Sequence, residues 1–527
     1  MEILGKEIFT KEHMYILRGL CLWSMIYIAA VVFYRLILSP LAKFPGPRLA
    51  AATGLYETYY QIVKGGRYTW VIDSLHDKYG PVVRVTPREI HIKDPDYYST
   101  VYAGPGRHRN KDPWFSFIGF PLSIFSTDGY ELHRERRKVM GQFFKKNAIV
   151  EFEPVIQANV QSLCRHFSTA AKTHKPLELH AAFQTFTSDT VSQHAFGRSN
   201  GFHRLEEPEI TATWLTQVNW VFEFIRITRH FPILCHFAHF LPTLCAWFVP
   251  PFGHVHQLEE DVRHQVRKAI HEHENSDKEK QSMALPVGKG SLTAIYPTIL
   301  AAPEVTDSEK TFKRLQDDAI FLLIAGTDAP SQALAITMFH LLNNPVPLQK
   351  LRAELFAAIP DANTMPSLQL LETLPYLSAT VREGLRISSI VTTRLPRSAP
   401  DEDLQYQQWH IPAGTLVSMS TYFILRDPEI FLDPATFLPE RWLLPQEELN
   451  NLQKYLLPAS KGTLGCLGPN MAWAWMHLLI GTLIRRFDLA LHETTERNVE
   501  MTRDNFIGQT DRGYNRVQVK VAEEYQS

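Results

Sequence analysis

The chain has 527 residues, 45% of them hydrophobic and 21% charged, with a formal net charge of −1. That size and apolar content allow a large buried core, and length alone would admit two or three domains. A charge balance so near zero gives no electrostatic reason for a nucleic-acid partner, and five scattered cysteines with no C-x-x-C pair argue against a disulfide framework or a zinc site and for a reducing compartment.

From the amino terminus, residues 1–18 form a tail ahead of sixteen residues, Gly19 to Tyr34, that carry no charge and one clearly polar side chain, Ser24. As a helix they would cover about 24 Å, short of the ~30 Å hydrocarbon core. Arg35 can snorkel to the interface, and Leu36-Ile37-Leu38 then complete a single transmembrane anchor over 19–38. No small-residue cleavage site follows, as a removable signal peptide would require. Residues 39–48, with Pro40 and Lys43-Phe44-Pro45-Gly46-Pro47, read as a stiff hinge that stops the helix, and 49–527 as the folded body of the protein. Basic residues balance on the two sides of the span, so charge does not orient it.

Beyond the hinge the pattern predicts a helix over 67–79 and a hairpin of 82–85 with 89–92 around Pro87. Further helices are predicted over 128–142, 150–171, 181–196 and 257–273. The polar run 273–291 reads as a surface loop. A long helix is expected from Glu309 to Asn343, stopped by Pro345, then another over 376–387, with short strands around the turn 411–415. No internal repeat is visible.

Cys466 lies in the glycine-flanked loop Ala459-Ser460-Lys461-Gly462-Thr463-Leu464-Gly465-Cys466-Leu467-Gly468, just ahead of an apolar helix. A free cysteine there is ordinarily a small buried hydrophobe, but three motifs precede it in order: Ala325-Gly326-Thr327-Asp328, Glu383-Gly384-Leu385-Arg386 and Phe437-Leu438-Pro439-Glu440-Arg441-Trp442, with Arg441 falling 25 residues before Cys466. Together they resemble the cytochrome P-450 family over roughly residues 40–525. The phrasing of Phe44-Pro45-Gly46-Pro47, Leu395 to Asp401 and Ile411 to Thr415 is similar to fungal enzymes of secondary metabolism such as trichodiene oxygenase.

The resemblance implies a mainly α fold with small β-sheets, holding haem b (iron protoporphyrin IX) with the Cys466 thiolate as its iron ligand, a coordination that favours O–O bond cleavage. Cofactor-binding residues would be Cys466, Arg137, His133, Arg397, Gly462 and Gly468. Arg137 and Arg397 would contact haem propionates, with His133 where the family often has tryptophan. Glu383, Arg386 and Arg441 would form a buried charged network that shapes the approach to the cysteine loop, although an i, i+3 Glu/Arg pair is ordinarily a surface feature. Gly326, Asp328 and Ala329 would stand at the oxygen-activating turn. The implied partners are an NADPH-cytochrome reductase, docked on the remaining cations of 131–146, the membrane and a hydrophobic small molecule. The implied location is the endoplasmic reticulum with the catalytic domain in the cytosol.

Aromatic residues are expected to shape the substrate end: Trp114, Phe115, Phe117, Phe120 and Phe125 with Ile118 and Leu122, and, in the roof helices, Trp214, Trp220, Phe222 and Phe224. Pro232 to Pro251, with Trp247 and Phe248, could dip into the membrane. Two departures stand out in the cysteine loop, where Leu464 replaces an arginine and Ala459 a phenylalanine. The lost charge-assisted bond should cost about 1.5–3 kcal/mol of haem binding unless Arg137 and Arg397 compensate. In the long helix, Ala329 and Pro330 stand where the family has threonine and a second hydroxyl residue. Proton delivery would then fall to Asp328 through water, to a substrate hydroxyl, or to Thr327 or Ser331. Pro330 cannot donate to the carbonyl of Gly326, so the helix should open at that turn. Three readings stay open at this level: a monooxygenase acting on a terpenoid or alkaloid intermediate, a haem-thiolate isomerase or dehydratase needing no reductase, and a haem-binding protein without turnover.

Overall fold

The computed structural model describes residues 11–117, 120–234, 251–282 and 294–525. Its principal helices are α1 (Lys11–Phe33), α2 (Tyr68–Tyr79), α3 (Tyr130–Gly141), α4 (Lys146–Thr173), α5 (Leu179–Phe196), α6 (Thr213–His230), α7 (Pro251–Ser282), α8 (Phe312–Asn343), α9 (Pro375–Ser388) and α10 (Pro469–Arg486). The strands are β1 (Val82–Thr86), β2 (Glu89–Ile92), β3 (Asn110–Lys111), β4 (Leu177–Glu178), β5 (Arg397–Ser398), β6 (Leu404–Tyr406), β7 (Trp409–Ile411), β8 (Leu416–Ser418), β9 (Phe487–His492), β10 (Arg503–Asn505), β11 (Ile507–Gln509) and β12 (Gln518–Glu524). The helix-rich fold with minor sheets is the one the resemblance implied.

A five-stranded sheet runs β1-β2-β8-β5-β3. Its β1/β2 pair is antiparallel with Val83 opposite His91, β2 runs parallel to β8, and the last pair sets Lys111 opposite Arg397. A second sheet runs β4-β12-β9, and β6/β7 and β10/β11 are separate antiparallel pairs.

The core centres on α5 and α8. The helix expected over 181–196 is α5, but it is not amphipathic in place: every one of its residues is buried, with protein on all sides. The two helices approach closely at Gly326, where a Cβ would come 2.7 Å from Val191 Cγ2. Helix boundaries fall within a few residues of expectation except at α7. This helix continues to Ser282, through the first ten residues of the run read as a loop; 283–291 lie outside the described residues. Glu, Lys and Gln in that run are strong helix formers, and their propensity outweighs the missing apolar stripe.

At the amino terminus α1 passes into a π-helical turn, Tyr34–Leu38. The apolar stretch Met14–Leu38 has mean hydropathy 2.0 and none of it is buried. Its 25 residues span about 38 Å, so the candidate span begins five residues before Gly19. Arg35, read as a snorkelling residue, donates to Ala52 O at 2.8 Å, and Arg84 Nη1 donates to Arg35 O at 2.8 Å. The hinge also lies against the body: Leu41 and Phe44 are buried and Arg84 N donates to Pro45 O at 2.7 Å.

Candidate active site

The cysteine loop turns through Ser460 and Gly462, with φ of +60° and +75°. A Cβ on Gly462 would lie 2.2 Å from Ala103 O, so glycine alone allows the loop to rest on that backbone. Thr463 N donates to Ala103 O at 3.1 Å and Cys466 N to Ala459 O at 3.0 Å. Gly468 has open space where a Cβ would stand; its contribution is an N–H that donates to Cys466 Sγ at 3.3 Å. Arg137 of α3 donates to Gly465 O at 2.5 Å and Cys466 O at 3.2 Å, clamping the loop. The Cys466 side chain is accessible yet set deep in the protein. Burial pushes its thiol up, while the N–H of Gly468 and the charge of Arg137 pull it down.

Beside this loop lies a buried basic cluster. Lys111 donates to Ile124 O at 3.1 Å and Phe125 O at 2.7 Å. Arg397 donates to Pro396 O at 2.9 Å and keeps Nε without a partner. Burial, followed by the charges of Lys111, Arg137 and Arg397, pushes His133 down to about 2, so its imidazole is neutral. Among the described residues no carboxylate stands within ion-pair distance of Lys111, Arg137 or Arg397. Buried cations without counterions are costly, and a dianion such as the two propionates of haem fits the cluster. Lys111 was not legible beforehand: a two-residue strand has no period, and its pairing with Arg397 spans most of the chain.

Arg136 differs from the docking role expected of the α3 cations. It is buried, bidentate to Glu309 at 2.8–3.1 Å and bonded to Thr127 at 2.7 Å. Lys146 pairs with Glu372 at 2.8 Å and Arg134 with Glu131 at 2.8 Å, leaving Lys138 and Lys145 as the exposed cations of that segment outside ion pairs among the described residues.

On α8, Ala325 is exposed and Leu322, Gly326, Ala329 and Pro330 are half-buried, while Leu323, Ile324, Thr327 and Asp328 are buried. An accessible stripe in the middle of a core helix marks an internal space, and Ala329 is on it. Asp328 points the other way, toward α5: Gln184 Nε2 donates to its Oδ1 at 3.4 Å, His180 Nε2 is 3.8 Å away and Oδ2 has no partner among the described residues. Burial pushes Asp328 up to about 7 and His180 down to about 4. Both neighbouring hydroxyls are committed to backbone, Thr327 to Ile324 O at 3.2 Å and Ser331 to Asp328 O at 2.8 Å. The helix stays continuous through Pro330, and next to the missing bond the Thr187 hydroxyl of α5 donates to Thr327 O at 3.0 Å.

Glu383, Arg386 and Arg441 are brought together in the core. Arg386 is bidentate to Glu383 at 2.7 and 2.9 Å, and Arg441 Nε reaches Glu383 at 3.1 Å. Trp442 Nε1 and Leu438 N each donate to Glu383 at 2.9 Å, and Arg386 Nη1 holds Leu425 O and Pro434 O. These bonds pin the chain that leads to the cysteine loop.

Aromatic side chains connect α8 to the rest of the site. Phe125 stacks on Phe321 with centroids 4.0 Å apart and meets Phe506 edge-on at 5.6 Å, while Trp114 stacks on Phe115 at 4.3 Å, beneath Arg397. Trp214 is buried and donates to Thr327 Oγ1 at 3.1 Å. Trp220 is 40% exposed on the outer face of α6. The Phe117 side chain, Ile118 and residues 235–250 lie outside the described residues. Beyond Trp114 and Phe506, toward α6 and β10, lies a void of about 10 Å³, room for about one water.

A profile of the cytochrome P-450 family matches residues 52–515. Conidiogenone synthase PchP450 of Penicillium rubens is 36% identical over 486 residues, 92% of this chain and 94% of that protein. Cytochrome P-450 monooxygenase sdnE of Sordaria araneosa is 36% identical over 515 residues, covering 96% and 98%. Cytochrome P-450 monooxygenase TRI4 of Trichoderma arundinaceum is 36% identical over 485 residues, covering 92% and 91%. Motifs, fold and near full-length similarity agree: the chain belongs to the cytochrome P-450 family and is an oxidoreductase of the monooxygenase type.

Proposed function

We propose that this protein is a membrane-anchored haem-thiolate monooxygenase that inserts one oxygen atom of O2 into a hydrophobic small molecule, a terpenoid or alkaloid intermediate of a secondary-metabolite pathway. Electrons come from NADPH through a separate reductase, and the catalytic domain of residues 49–527 faces the cytosol from the endoplasmic reticulum. The reading is supported by similarity to a conidiogenone synthase and to other fungal monooxygenases, by the apolar span Met14–Leu38 and by the aromatic lining. Among the three readings of the sequence, the names of the relatives favour this one.

The observation that carries it is the Cys466 sulfur, backed by the N–H of Gly468 beside a basic cluster that lacks an anion. Haem held there supplies dioxygen activation with a thiolate ligand that favours O–O cleavage. The chain does the rest. Cys466 ligates the iron, and Lys111, Arg397 and neutral His133 receive the propionates. Arg137 and Gly462 fix the loop so that the sulfur stays in place. Below pH ~7 Asp328 holds a proton at its carboxyl, next to the α8 turn where Ala329 has none to give.

Carbon monoxide added to the reduced protein should give the Soret band of thiolate coordination, and Cys466→Ala should abolish both band and activity. A wild-type protein without that band, or an active Cys466→Ala, overturns the proposal.

A further inference from the structure

The segment Leu122 to Phe125 is a loop without a strand ladder, yet charged side chains hold five of its backbone groups. Asp317 Oδ2 of α8 accepts from Leu122 N at 3.1 Å, and Asp318 Oδ1 accepts from Ile124 N at 2.8 Å. From the other side, Arg136 Nη1 of α3 donates to Leu122 O at 3.0 Å. Lys111 Nζ of β3 donates to Ile124 O at 3.1 Å and Phe125 O at 2.7 Å. All four side chains are buried. Acids take the N–H groups and bases the carbonyls, so each bond is charge-assisted. A connecting loop ordinarily leaves such groups to water and moves; this one is gripped from three elements.

The grip fixes one ring. Phe125 is half-buried and lies nearly parallel to Phe321 of α8, with 16° between the rings and 4.0 Å between their centres. Phe506 and Phe115 meet it edge-on at 5.6 and 5.2 Å, so it has no room to turn aside. Phe321 adjoins Leu322, on the accessible stripe of α8 that continues through Ala325 to Ala329. Asp317 is fully buried, so it acts on that internal space only through the loop it holds. Its other partner is Lys313, 2.7 Å away and 46% exposed, whereas Asp318 pairs with the buried Arg314 at 3.0 Å. Asp317 can therefore be neutralised without stranding a buried cation.

We propose that Asp317 is a positioning residue for the oxidation. With Asp318, Arg136 and Lys111 it holds the backbone of 122–125 so that the Phe125 ring is a fixed wall of the space along α8. A bound molecule is then turned against that wall, which limits the part of it that faces the haem. The proposal rests on haem lying beside the α8 stripe, as the proposed function has it.

The test uses the full-length holoenzyme and two probes that ligate iron through nitrogen, imidazole and 4-phenylimidazole, read by the red shift of the Soret band. The ratio of their dissociation constants measures how well an aromatic ring is received. In Phe125→Leu and in Asp317→Leu the preference for the phenyl compound should fall about fivefold, while Asp317→Asn, which keeps an acceptor for Leu122 N, should stay within about twofold of wild type. Amide exchange in the peptide 120–127 should be about tenfold faster in Asp317→Leu than in wild type. An unchanged ratio in Phe125→Leu or Asp317→Leu, a fall in Asp317→Asn as large as in Asp317→Leu, or equal exchange rates would overturn the proposal. So would loss of the carbon-monoxide band in Asp317→Leu, since the carboxylate would then hold the fold and not a pose. The haem reading fails separately, by absence of the thiolate Soret band in the wild type, and the exchange rates would still decide whether Asp317 holds the loop.

Discussion

Glu383 accepts from five donors on four residues, and both of its arginines are buried. Glu383→Gln keeps the shape but strands two cations, at a cost of roughly 3–5 kcal/mol. We expect little folded holoprotein, read as the yield of the carbon-monoxide band. Lys111→Met should release haem more readily, by about 1.5–3 kcal/mol of binding, read as the haem-to-protein ratio after gel filtration. Leu464 leaves the cysteine loop without an arginine, and Lys111, on the edge strand β3, lies near Arg137 and Arg397, where burial holds its amine well below its ordinary value. At Asp328 the sign runs from burial: the carboxyl is raised to about 7, so its protonated form is lost as pH rises through that value. The share of stability from this group should therefore fall as pH rises from about 4 to 7, and Asp328→Asn should remove that slope from thermal scans of the holoprotein.

At the scale of elements, Pro330 and Thr187 act together. The proline removes one bond from α8, and the hydroxyl of α5 engages the next carbonyl. Pro330→Thr restores the N–H and a hydroxyl side chain; a change in the ratio of product to NADPH consumed is expected, and an unchanged ratio would show the role of Pro330 to be structural only. The long helix, the helix of Glu383 and the cysteine loop were legible because apolar period, glycine and short motifs lie within single segments. The helix α5 was legible over 181–196, but not its burial on every side, which an amphipathic reading does not foresee. The pairing of Lys111 with Arg397, of Arg136 with Glu309 and of Asp328 with Gln184 stayed invisible, since each joins residues more than a hundred positions apart and nothing local specifies it. The extension of α7 was missed for the opposite reason: local propensity was present, but the apolar stripe was not.

For the molecule as a whole, buried imidazoles set the response to acid. Burial pushes His76, His180, His194, His230, His340 and His477 down to about 4, and His91 well below its ordinary value. In the unfolded chain they take protons near pH 6.5; in the fold they resist until about 4. Their contribution is whole above pH 6.5 and is lost as pH falls through that window, by about 1.4 kcal/mol per pH unit for each fully buried ring. Asp112, Glu178, Asp189 and Asp328 shift upward and oppose the trend with fewer groups. The melting temperature should drop steeply between pH 6.5 and 4, measured by thermal scans on the holoprotein.

The two bonds at Arg35 have a mechanical sequel. With its guanidinium on Ala52 and its carbonyl held by Arg84, the end of the span cannot swivel against the body, as a mast stepped in a socket cannot turn without the hull. In a membrane-anchored monooxygenase as proposed, any yaw or heel of the rod would be transmitted to the globule, so an electron donor held on the same bilayer would approach one flank at one height. Lengthening that joint by a few flexible residues would scatter those approaches while leaving every reacting atom where it was.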